Sequence, residues 1–175
     1  MLFRSWRERV GEQEANKISK RATDRGTAVH ALIEKYLNNE DVSTQDLMPN
    51  VKNLFVKMKP ELAKLNNIHC LEERLFSHEL RLAGTVDCIA EHNGVLSVID
   101  FKTANRLKKK EDIGNYFMQG AAYSTMFTEM TGIPIEQVVI IIGVDSANFC
   151  QTMKVNPSDH IDELKQFVEN YYRGK

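Results

Sequence analysis

Asp87, Asp100 and Lys102 are spaced so that two carboxylates and an ammonium can share one face of a hairpin, the outline of a metal-dependent phosphodiesterase site. Gly84-Thr85-Val86-Asp87 precedes Glu91-His92-Asn93-Gly94, and Asp100-Phe101-Lys102 follows it. Asn-Gly between apolar β-formers is the strongest short-range hairpin signal. With Asn93 and Gly94 as a two-residue turn, His92 faces Val95, and counting outward sets Asp87 opposite Asp100. Side chains alternate along a strand, so Asp100 and Lys102 share a side while Phe101 points the other way. Directly opposed residues have Cβ atoms about 4.5–5.5 Å apart, where like charges destabilise, so something positive belongs between the acids. Hard oxygen ligands suit Mg²⁺ or Mn²⁺. A four-residue loop slides Asp87 opposite Val98 and leaves the acids diagonal on the same face. The alternative is a solvated strand face. Against it, Asp is disfavoured in strands, and Val95, Leu96, Val98, Ile99 and Phe101 make the second strand apolar on both sides, as in a buried central strand.

The elements that must hold this hairpin follow from periodicity and punctuation. Residues 3–20 read as a weakly amphipathic helix, and Thr23 or Asp24 is placed to cap a second helix to about Leu37. Val29, Ile33 and Tyr36 form its apolar stripe, which puts His30 at the edge of the buried face. Pro49 or Asn50 opens a third helix to about Leu65, interrupted near Pro60. Strands are expected at 68–77, 81–91 and 95–102, then a helix over 112–131 with Gly132 past its end and Pro134 beyond. Gln137 to Val144 and Phe149 to Val155 read as further strands, and Asn156-Pro157 starts a last helix to about Tyr172. Strand 95–102, helix 112–131 and strand 137–144 make a βαβ unit with a parallel pair. The expected fold class is α/β: a mixed sheet flanked by helices in one domain over 1–175, with a helical part at 1–65 and a sheet core at 66–175.

At 175 residues the chain can bury a core without staples. Its net charge of −1 gives no general affinity for nucleic acid, so any such contact must be local. One local patch stands out. Residues 101–110 carry Lys102, Arg106, Lys108, Lys109 and Lys110 with no acid, directly after the acid pair. This run is either a solvated loop or a phosphate contact. Cys70, Cys88 and Cys150 are odd in number and show no CxxC, so neither a disulfide framework nor a zinc or iron–sulfur site is indicated and a reducing compartment is expected. Residues 1–20 hold no apolar signal segment, and no stretch approaches the length of a membrane span.

His30, after Arg25-Gly26-Thr27, can aim its imidazole into the same cleft as the acids. Gln119 and Tyr123, four apart, project from one helical face while Ile113, Phe117, Gly120, Ala121 and Ser124 hold the other against the sheet. Glu72 and Glu73 point to opposite sides of the first strand, so one of them can approach the site.

In this order, Arg25-Gly26-Thr27-x-x-His30, Gly84-x-x-Asp87, Asp100-x-Lys102 and Gln119-x-x-x-Tyr123 resemble the PD-(D/E)XK nuclease superfamily, most nearly its RecB-type and mitochondrial genome maintenance exonuclease branch. The resemblance spans about residues 21 to 144. It implies a restriction-endonuclease-like core in which Asp87, Asp100 and the backbone carbonyl of Phe101 ligate one or two Mg²⁺ or Mn²⁺ ions, with His30 contributing. Lys102 would position or activate the attacking water. Gln119 and Tyr123 would orient the site and the DNA strand, with Arg25 and Thr27 as further substrate contacts, while Arg106, Lys108, Lys109 and Lys110 are expected substrate contacts from their charge and their place beside the acids. The proline of the superfamily name is Val86 here, and the cysteines of the iron–sulfur members are absent, so no cluster is expected. The implied activity is a DNA exonuclease acting on single strands or free ends in repair, recombination or replication, in the cytoplasm of a bacterial or phage-infected cell. The rival readings are an endonuclease or flap nuclease of the same fold and a non-catalytic nucleic-acid-binding module.

Overall fold

The computed structural model describes residues 2–43 and 47–174. Three helices come first: α1 (Leu2–Val10), α2 (Glu12–Leu37) and α3 (Pro49–Leu62). Strands β1 (Leu65–Ser77), β2 (Leu82–His92) and β3 (Val95–Ala104) follow, then helix α4 (Gly114–Thr131), strands β4 (Gln137–Val144) and β5 (Gln151–Val155), and helix α5 (Ile161–Arg173). The five strands form one sheet in sequence order, antiparallel throughout except for the parallel pair β3 and β4 that α4 connects. The sequence-based expectation of a mixed sheet flanked by helices holds. No helix is long and apolar enough to cross a membrane among the described residues.

Each face of the sheet has its own core. Ile99 and Phe101 of β3 pack with Val29, Ile33, Leu54, Phe55 and Met58 from α2 and α3. Val98 joins Val138, Ile140, Phe117, Leu164 and Val168 on the side of α4 and α5. Covered on both faces, β3 is apolar in both registers, as a buried parallel strand must be. Each buried Val, Ile or Phe contributes roughly 1.5–3 kcal/mol, so such a strand can carry one costly acid. Helix α4 lies close because residue 120 has no side chain: a Cβ there would come within 2.3 Å of Val138 Cγ1. That seating places the neighbouring Gln119 above β3.

The hairpin forms as its turn residues require. Asn93 (φ 52°) and Gly94 (φ 80°) both adopt the left-handed conformation of a tight two-residue turn, and His92 pairs with Val95.

Several boundaries differ from the periodicity. The first helical break falls at Gly11 (φ 85°), and α2 runs unbroken through Thr23 and Asp24. Neither side chain is free to cap: the Thr23 hydroxyl donates to the Ser19 carbonyl (3.1 Å), and Asp24 accepts from Lys20 (2.7 Å). Helix α3 passes through Pro60 and ends at Leu62, since Pro60 forfeits one hydrogen bond while Leu54, Phe55, Met58 and Leu62 stay buried. Strand β5 starts at Gln151, not Phe149, and a 3₁₀ turn, Lys110–Ile113, precedes α4. Asn156 accepts from the Ser158 amide (2.9 Å) and so caps a 3₁₀ turn, Pro157–His160, that leads into α5.

Candidate active site

The β2–β3 ladder runs from His92↔Val95 to Cys88↔Ile99 and stops there. Asp87 and Asp100 are the next positions in that register, where the strands part. In place of a ladder bond, Asp87 Oδ2 accepts from the Phe101 amide at 2.8 Å. The side chain thereby bridges the fork and is held rigid.

Asp100 is 3% exposed on the α4 side of β3. Its Oδ1 accepts from Lys102 Nζ at 2.7 Å, and Lys102 in turn donates to Gln119 Oε1 at 3.4 Å and lies 5.2 Å from the Tyr116 ring centroid. Gln119 Nε2 reaches the Tyr123 hydroxyl at 3.5 Å. Residues 116, 119 and 123 share one face of α4, so a single helix organises the lysine. Tyr123 packs on Gly84, where a Cβ would sit 3.0 Å from its hydroxyl oxygen, and this accounts for the glycine three residues before Asp87. Asp100 Oδ2 is buried with no hydrogen-bond partner. Burial raises the Asp100 carboxyl above the ordinary range against the pull of Lys102, and the charge of Asp87 raises it further. An orphaned, desolvated carboxylate oxygen beside a second acid is a place where positive charge beyond that of Lys102 would be stabilising.

Opposite lies His30 of α2. Its Nε2 bonds the Phe101 carbonyl at 2.7 Å, and a carbonyl only accepts, so Nε2 carries the proton. In the neutral ring the Nδ1 lone pair then faces Glu72 Oε1 at 3.8 Å and Asp87 Oδ1 at 3.9 Å. The three ligand atoms lie within 4.8 Å of one another. Two carboxylates and an imidazole nitrogen with no donor between them fit a hard divalent cation such as Mg²⁺ or Mn²⁺. The Phe101 carbonyl, expected as a ligand, is here the acceptor for His30, and a carbonyl oxygen has a second lone pair.

Glu72 is the glutamate of β1 that approaches the site. It sits at φ 50°, a strained conformation for a non-glycine residue, and burial first, then the charge of Asp87, raises its carboxyl. Alternation alone leaves Glu72 and Glu73 equivalent. Counting back from the turn at 78–81, where Ser77 pairs with Leu82, sets Glu72 across from Asp87.

The remaining expected residues are spread around this centre. Thr27 is exposed and lines a cleft of about 400 Å³ with Gly26, His30, Ala31, Glu34 and Glu72. Arg25 is drawn away: its guanidinium is ion-paired with Asp145 and its side chain is only 11% exposed. Arg106, Lys109 and Lys110 are exposed, and Lys108 is half-buried, in the segment after β3. A larger cleft of about 730 Å³ lies elsewhere, between α4 and the start of α5. It is lined by Glu79, Glu129 and Glu136 with no base, which makes it unsuited to a phosphate backbone.

The profile of the PD-(D/E)XK nuclease superfamily matches residues 55–173. The chain belongs to this superfamily. It is also 24% identical over 112 residues to human mitochondrial genome maintenance exonuclease 1, a match that covers 61% of this chain and 33% of that protein. The chain therefore spans about a third of the relative's length. The superfamily is one of nucleases, which generally use divalent metals.

Proposed function

We propose that the chain is a Mg²⁺- or Mn²⁺-dependent deoxyribonuclease that removes nucleotides from the ends of single-stranded DNA. The observation that supports this best is the pairing of a buried Asp100, one oxygen unpartnered, with the His30, Glu72 and Asp87 acceptors and a tethered Lys102. Asp87, Asp100, His30, Glu72 and the Phe101 carbonyl would hold one or two divalent ions. Such ions supply a water of lowered pKa and neutralise charge on the transferring phosphate. Lys102, steadied by Asp100 and Gln119, keeps an ammonium where negative charge builds in the transition state. Gln119 and Tyr123 hold that ammonium in place from α4. Thr27 and the basic segment from Arg106 to Lys110 offer donors and charge to phosphates on either side, whereas Arg25 is engaged by Asp145. Preference for ends rests on the exonuclease relative. The test compares linear with closed circular single-stranded DNA under Mg²⁺. Degradation of the linear form with the circle intact is expected, and cleavage of the circle makes the enzyme an endonuclease.

A further inference from the structure

The segments leaving β3 and β4, residues 105–109 and 145–150, emerge side by side, because Ala104 and Val144 are the last partners of the parallel ladder. This is the end of the sheet that carries the acids: Ala104 follows Lys102 by two residues, about 7 Å along the strand. The two segments are built into one ledge. The Asp145 amide donates to the Ala104 carbonyl (2.9 Å), and the Ser146 amide donates to the Asn105 carbonyl (3.2 Å). From β5, the Gln151 amide group clamps the Lys108 backbone twice, accepting from its N–H (2.7 Å) and donating to its carbonyl (3.0 Å).

The ledge has an unusual surface. Among the described residues, none of Arg106, Lys108, Lys109 and Lys110 has an ion-pair partner. Asp145, an acid of the same ledge, is neutralised by Arg25. Next to these cations, Leu107 is 51% exposed and Phe149 57% exposed. A lone exposed aromatic needs no explanation, but one on the same ledge as cations without ion-pair partners combines the two surfaces a single strand presents, phosphate and unstacked base. Phe167 on α5 is as exposed, but the cations near it in sequence, Lys165 and Arg173, are paired with Glu79 and Glu169.

We propose that this ledge is a second contact for single-stranded nucleic acid, in which Phe149 stacks an unpaired base, Leu107 adds apolar contact, and Arg106, Lys108 and Lys109 hold the adjacent phosphates. The proposal rests on the nuclease reading and adds to it a reason for choosing single strands: a duplex keeps its base faces covered and offers Phe149 nothing to stack on.

The test measures fluorescence anisotropy of labelled oligo-dT and of a duplex in EDTA, where no cleavage occurs, over a range of salt concentrations. Phe149→Ala is expected to weaken oligo-dT binding about tenfold or more, with duplex affinity, melting temperature and salt slope unchanged, and Phe149→Trp to restore it. Replacing Arg106, Lys108 and Lys109 together by Ala is expected to lower the salt slope by about 2. If wild type binds and cleaves single strands while Phe149→Ala matches it in affinity, the ledge proposal falls alone. If wild type binds no single strand, the ledge and the single-strand reading fall together. Equal losses on oligo-dT and duplex would overturn stacking in favour of a general or protein-facing role for Phe149.

Discussion

The two ends of the β2–β3 ladder are built from the same kind of strand and do opposite things. At the hairpin end, Asn93 and Gly94 make a turn that matches strand twist, the ladder is continuous to Cys88↔Ile99, and the buried His92 has Glu61 for a partner at 3.3 Å. At the forked end the ladder stops, Asp87 spends its carboxylate on the Phe101 amide, Asp100 keeps an unpartnered oxygen, and Glu72 holds a strained φ of 50°. One end satisfies every local preference, whereas the other violates several within a few residues. Such clustering of local conflict is what a binding centre costs, and the continuous end supplies the rigidity that sustains it.

Breaking the forked end chemically should have the largest effect. Asp100→Ala should abolish DNA cleavage and Lys102→Ala should lower its rate by about 10²–10³-fold, each in a variant whose circular dichroism spectrum matches that of wild type. Cleavage at the wild-type rate in either purified variant would remove this site from the account.

The strain at the fork should next appear as pH-dependent stability. Burial lifts the Asp100 carboxyl from 3.8 to about 6, so its ionisation opposes folding of the metal-free protein. That cost is absent below about pH 4, where the group is protonated in both states, and grows as pH rises through 6. Asp100→Asn should therefore be more stable than wild type at pH 8 in EDTA, with an advantage that shrinks to nothing as pH falls. Urea denaturation across this range checks it, and a pH-independent difference would mean that the carboxyl is not held in a desolvated site.

At the hairpin end, Gly94→Ala should cost about 1 kcal/mol, because φ of 80° is strained for any side chain, while activity per folded molecule stays the same. Lost activity in the folded fraction would couple the two ends. The smallest stability effect is expected at Glu72: a change to Gly should leave stability within about 0.5 kcal/mol of wild type, since relief of the left-handed strain offsets the lost strand preference. The same variant should bind Mn²⁺ more weakly in calorimetry. A loss of stability as large as that of Gly94→Ala would make Glu72 a residue of the fold.

The hairpin end was legible in the residues because its signals are local: Asn-Gly, β-branched runs and alternation determine both turn and register. The helix α4 face that carries Gln119 and Tyr123 was equally legible from spacing. What escaped were features decided by other parts of the chain. The break at Gly11 prevailed over caps at Thr23 and Asp24, because those side chains bond within their own helix. Glu72 could be told from Glu73 only through the length of a turn at 78–81 that carries no strong motif. Arg25 reads as a phosphate ligand in sequence, but Asp145, 120 residues away, claims it. The fork itself has no local signature, since Asp87 replaces a ladder bond through a side chain that pattern alone assigns to one face.

The most direct test of the central claim, that the forked end is a divalent-metal centre, is a crystal soaked in Mn²⁺ and measured for anomalous scattering. The account predicts a peak between Asp87 and Asp100, within coordination distance of Asp87 and of at least one of His30 and Glu72. Occupied Mn²⁺ elsewhere in the molecule, with none at the fork, would contradict it.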